Sequence, residues 1–237
     1  MPHDLVAKSD PVVHTYPPVS RSSQKAIDAA DISQIFEHGF LFVGDAPLPI
    51  LLPSNYTAWE DALTRAKALP VKLNDSSRAA EAWRQSVREM PVLSISLLKN
   101  DLRLLNLARG VLTFLQHFYI HSLPDARKPP HAVIPASLAV PLLAVSRAVD
   151  LPPVMTFADC NFYNFRLGDA KGPEHEKEIL VQHTFSQTAD EMQFYLSGLL
   201  IEREGVRSVR VMSDLVQHFA KDGGARFRRT SYRSCER

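Results

Sequence analysis

The chain has 237 residues, of which 45% are hydrophobic, 22% charged and 8% aromatic, proportions that exclude wholesale disorder, collagen and coiled coil. With 27 basic against 26 acidic side chains the formal charge is +1, too weak a field to name nucleic acid or an anionic membrane as a partner. Two cysteines, Cys160 and Cys235, exclude a disulfide framework and a multi-cysteine metal site and fit a reducing, cytoplasmic compartment. The most apolar stretches, 111–120 and 134–145, are interrupted by Gln116, His117 and Pro141, so no membrane span is expected.

Residues 1–23 are rich in Pro and Ser without apolar periodicity and read as a disordered leader. Asn55 can cap a helix from Thr57 to about Leu69, in which Trp59, Leu63 and Ala66 recur at helical spacing. Asp75 or Ser76 can cap the next, with Ala79, Ala82, Trp83 and Val87 on one face. From Asp101 to His121 the apolar residues go almost all the way round, which places that helix in the middle of a bundle. Ser137 to Val149 and Met155 to Leu167 read as two more helices, Ile179 to Phe185 as a strand, and Thr188 to Glu204 as helix. After Gly205 the pattern weakens to an amphipathic segment, Val209 to Phe219, and a basic end. The expected class is mainly α.

Dinucleotide, P-loop, α/β-hydrolase and zincin motifs do not occur. His117 and His121 stand one helical turn apart, a spacing suited to one metal, but without a third ligand nearby they read as core or helix-end histidines.

Three stretches resemble the indoleamine 2,3-dioxygenase family, haem proteins that open the indole ring of tryptophan. They are Leu51 to Glu60, with its Leu-Pro, Tyr and Trp; Ile134 to Pro141 followed by Leu151 to Cys160, with Ala-Val-Pro, Leu-Pro-Pro and Ala-Asp; and Glu191 to Leu196 leading to Ile201-Glu202. The resemblance covers about Ile32 to Glu204. It implies a small N-terminal helical domain, here 24–185, then the first helix of a larger haem domain, 186–204, with 205–237 as a poorly ordered tail outside the family. The family's distal pocket wall, carried across by position, is Phe157, Cys160, Phe194, Tyr195 and Gly198. On a helix from Thr188, Phe194, Tyr195 and Gly198 occupy an arc separate from Met192, Leu196, Leu199 and Leu200, so that helix has two apolar faces.

The resemblance further implies haem b as cofactor, L-tryptophan or a related indole and dioxygen as partners, and N-formylkynurenine as product. Two departures stand out. Gly198 replaces a residue that carries a hydroxyl in many members, and the family's proximal His, its propionate and carboxylate Arg residues and its glycine-rich loop have no counterpart. The chain is therefore expected to be a C-terminally shortened member that binds haem weakly or not at all, with His218 as the substitute axial ligand the sequence offers. The alternatives are a non-catalytic paralogue that binds haem or oxygen or regulates, and a cofactor-free helical interaction module.

Overall fold

The computed structural model describes residues 51–69, 72–124, 133–168 and 179–222, with side chains up to 218 in the last segment. The leader at 1–23 and the end beyond 222 lie outside the described residues. A 3-10 turn, Ser54–Tyr56, leads into α1 (Thr57–Ala68), followed by α2 (Arg78–Glu89), α3 (Leu102–Ser122) and α4 (Ala136–Ala148). A π-helical turn (Ala158–Phe162), two short strands, β1 (Phe165–Leu167) and β2 (Ile179–Val181), and α5 (Ala189–Asp222) complete the order. The protein is mainly α, as its composition and periodicity imply.

The centre of the bundle is α3, whose residues Leu105 to Gln116 are all buried. Asp101 caps it, its carboxylate accepting from Arg103 N at 2.9 Å and Leu104 N at 3.3 Å. At the other end, the chain entering α2 satisfies orphan carbonyls of α3: Asn74 N donates to His121 O and Asp75 N to Ser122 O. The fully buried Arg84 adds Nη1 to Ser122 O at 2.8 Å and Nη2 to Asp75 O at 2.9 Å. α1 and α2 pack on α3 through Trp59, Leu63, Trp83 and Val87, and Trp83 Nε1 donates to Ala62 O at 3.0 Å. Pro141 lies inside α4; its fixed φ suits a helix while its missing N–H leaves one ladder bond unmade.

Several local expectations are corrected. Asn55 does not cap α1, which begins at Tyr56 without a side-chain cap; instead Thr57 Oγ1 donates to Ser54 O. Ser77, not Asp75 or Ser76, caps α2 by accepting from Ala80 N, while Asp75 accepts from Ser77 N. The buried face of α2 is Ala80, Trp83, Arg84 and Val87, with Ala79 and Ala82 exposed, because a hydrogen-bonded Arg takes a core position. Met155 to Leu167 is no continuous helix, since the π-turn ends at Phe162 and Phe165–Leu167 pairs antiparallel with Ile179–Val181 in the register Arg166↔Leu180. The strand is thus shorter than Ile179 to Phe185 and has a partner the pattern did not show.

The largest difference is α5, a single helix of 34 residues that runs through Gly205, about 50 Å at 1.5 Å per residue. A Cβ at Gly205 would meet nothing within 4 Å, so that glycine lowers helix propensity without a steric reason to stop the helix. Val209 to Phe219 continues the same helix. Among the described residues no helix is long and apolar enough to cross a membrane.

Candidate functional site: an aromatic wall on a buried ionic hub

α5 starts with a capping box. Thr188 Oγ1 accepts from Glu191 N at 3.3 Å, and the Glu191 carboxylate reaches back to Phe185 N at 2.8 Å and Ser186 N at 2.6 Å. This fixes the entry of the helix and so the direction in which the next two turns present their side chains. Leu199 and Val206 are buried, while Phe194 is 69% and Ile201 72% exposed. The helix therefore has one face on the bundle and another, apolar one in the open. Tyr195 is half-buried beside Phe194, with ring centroids 5.9 Å apart.

The π-turn supplies the other half of the wall. Phe157, just before it, is 60% exposed and edge-on to Phe162 at 5.2 Å. The two halves meet at Gly198, where a Cβ would lie 2.6 Å from Asn161 Oδ1 and 3.6 Å from Phe157 Cζ. Glycine is required there for close approach. Phe157 and Gly198 are thus in one place, and the charge of Cys160 would be felt at Tyr195. Phe194 extends the surface outward.

What holds the π-turn is a buried ion pair. Arg109, from the middle of α3, brings Nε within 2.8 Å of Asp159 Oδ1 as an ion pair and donates Nη2 to Asp159 Oδ2 at 3.0 Å. Its guanidinium also reaches Ser146 Oγ at 2.6 Å on α4 and Val154 O at 2.7 Å. Asp159 in turn accepts from Thr156 N and Thr156 Oγ1 at 2.7 and 2.8 Å. Both partners are buried, so each charge is desolvated and neutralised by the other, with further hydrogen bonds on both sides. Asn164 ties the same turn to β2, donating Nδ2 to Cys160 O at 2.9 Å and exchanging two 2.8 Å bonds with the His183 backbone.

Burial, with the charges of Asp159 and Glu191, pushes the Cys160 thiol up to about 11, so it is protonated at neutral pH and is no nucleophile. Burial and the Glu191 carboxylate also raise the Tyr195 phenol. The wall is therefore uncharged at neutral pH in Phe157, Cys160, Phe194, Tyr195 and Gly198.

His218 does not join them. It lies on α5, 24 residues after Phe194 in the numbering, about 36 Å along a straight helix, beyond the reach of one macrocycle seated on the wall. His117 and His121 form a pair on α3, 5.2 Å between ring centroids, and among the described residues no group of three His, Cys, Asp or Glu side chains suits a metal. The wall fits one face of a flat, apolar group such as haem or indole; an axial imidazole facing it is not among the described residues. Sequence reading missed Arg109, Asp159, Asn161 and Asn164. The signal was Arg109 in the middle of the helix whose apolar residues go almost all the way round.

A helical bundle with an exposed, uncharged aromatic wall is the class these observations define. The sequence matches the family model of indoleamine 2,3-dioxygenase over residues 30–231, and the chain belongs to that family. The match extends past Glu204, where the sequence reading ended the resemblance. Relatives include mouse indoleamine 2,3-dioxygenase 1, 28% identical over 72% of this chain and 40% of that protein. An indoleamine 2,3-dioxygenase of Aspergillus candidus is 33% identical over 78% of this chain and 44% of its own length. A 6-hydroxytryptophan 2,3-dioxygenase of Fusarium equiseti is 28% identical over 70% and 38%. The chain thus spans about two fifths of the length of these relatives.

Proposed function

We propose that this chain forms the distal side of a haem-dependent dioxygenase that opens the indole ring of L-tryptophan, or of a ring-substituted tryptophan, with dioxygen to give N-formylkynurenine or its correspondingly substituted form. Family membership supports the reaction class, and the name of the Fusarium relative supports the wider indole range. The observation that carries the reading is the exposed, uncharged wall of Phe157 and Phe194 beside half-buried Tyr195 and Cys160. The haem, when bound, supplies the dioxygen chemistry. The chain's own residues hold and orient. Phe157 and Phe194 take the indole by offset or edge contacts, which need no charge. Protonated Cys160 and Tyr195 keep the wall neutral, and Gly198 lets the π-turn sit against α5.

The test is a haemin titration with free imidazole supplied as axial ligand. A saturable Soret change that L-tryptophan perturbs, and that Phe194→Glu removes, is expected. A Soret change indifferent to tryptophan and to Phe194→Glu would refute the assignment. A second reading, a non-catalytic paralogue or interaction module, is favoured by one observation: among the described residues no imidazole faces the wall. Turnover of tryptophan by the haem-loaded chain would count against it.

A further inference from the structure

A second cavity, of about 720 Å³, opens where the C-terminal half of α3 meets the end of α1 and the turn into α5. Its volume lies in the range of small-molecule sites, and it shares no residue with the wall. Buried Phe118 and half-buried Phe185 form an aromatic floor, with ring centroids 5.1 Å apart. Around it stand Lys67, Lys72, His117 and His121.

The nearby carboxylates accept from backbone donors, and the charges of Glu60 and Glu191 are also felt at Lys67. Glu191 takes Phe185 N and Ser186 N, Asp75 takes Lys72 N and Ser77 N, and Glu60 takes Leu52 N. Lys67 Nζ lies 3.0 Å from Nδ1 of buried His183. Burial, and then the charge of Lys67, lowers the His183 pKa to about 3, so His183 accepts as a neutral imidazole. A neutral acceptor satisfies one of the three ammonium N–H groups without cancelling the charge.

Two ligand classes compete for such a cavity. The imidazoles of His117 and His121, one turn apart, have the spacing to take a divalent cation, but the two lysines that line the same cavity repel one. A flat anion meets both demands, with its ring on the floor and its charge on the Lys side chains. We propose that this cavity binds a planar aromatic monoanion of the carboxylate type, packed against the tilted rings of Phe118 and Phe185 and held by Lys67, Lys72 and His121. The site is independent of the proposed dioxygenase reading.

The experiment follows the imidazole ring signals of His117 and His121 in the 237-residue chain, with 2-naphthoate and the neutral isostere 2-naphthamide as probes. Saturable shifts of both histidines with naphthoate are expected, and about tenfold weaker binding of the amide, since a charge-assisted hydrogen bond is lost. Lys67→Met and Lys72→Gln should each weaken naphthoate several-fold and leave the amide unchanged. Lys72 is exposed and offers only its backbone N to Asp75, so its variant reads the charge even if Lys67→Met fails to fold. Equal affinity for acid and amide, or no shift at millimolar naphthoate, would overturn the proposal. So would a saturable response to zinc ion alone that is tighter than the response to naphthoate.

Discussion

The bundle around α3 and the wall on α5 are built from the same residue types used in opposite ways. In the bundle, Leu107, Leu112, Phe114 and Leu115 are buried and pack against apolar neighbours from α1, α2 and α4. In the wall, Phe157, Phe194 and Ile201 are mostly exposed. The bundle is held by apolar burial, at roughly 1.5–3 kcal/mol per large side chain. The wall is held from behind by polar groups: the Arg109–Asp159 pair, the Asn164 clamp and the Glu191 capping box. A surface that must stay open for a ligand cannot be fixed by its own burial, so directional bonds beneath it do that work.

Removing one member of the ion pair should break this comparison most strongly. Arg109→Met strands a buried carboxylate and should cost about 3–5 kcal/mol by urea unfolding, with Arg109→Met/Asp159→Leu recovering much of it. Equal stability of wild type and Arg109→Met would show that the hub holds nothing. Gly198→Ser comes next. Its Cβ would sit 2.6 Å from Asn161 Oδ1, so about 1–3 kcal/mol should be lost through overpacking, and Cys160 should alkylate faster as the π-turn is pushed off.

The pH dependence sharpens the polar side of the comparison. His183 has a folded pKa of about 3, below the ordinary 6.5. The unfolded chain therefore binds a proton that the native state refuses. The stability linked to His183 is complete above pH 6.5 and is lost as pH falls toward 3, by up to about 1.4 kcal/mol per pH unit. His183→Gln should flatten that slope in urea midpoints taken at pH 7 and pH 5; an unchanged slope would place the titration elsewhere. The smallest effect is expected in the distal part of α5. Gly205→Ala, with open space around the new Cβ, should stabilise by up to about 1 kcal/mol, and a loss would mean that the glycine is needed.

Much of the bundle was legible because periodicity reports burial. The all-round apolar stretch of α3 and the helical spacing of Trp59, Leu63 and Ala66 each found their place. Family motifs name five candidate wall residues, two of which, Phe157 and Gly198, meet in the structure. The hub was hidden because Arg109, Arg84 and Asp159 are charged residues in core positions, and a pattern of apolar spacing counts them as surface. The π-turn was read as helix because Phe157 and Cys160 have helical spacing, and nothing local marks the change to strand at Phe165. Gly205 was read as a stop on composition alone, whereas the helix continues where no contact opposes it.

The central claim is that the aromatic wall, not the histidine-bearing end of α3 or the far end of α5, faces the haem. Haemin with imidazole added to the 237-residue chain tests this directly through paramagnetic broadening of assigned ring signals. The account predicts that Phe157, Phe194 and Tyr195 broaden while His117, His121 and His218 stay sharp. Broadening centred on His218, with a Soret band that His218→Ala abolishes, would contradict it.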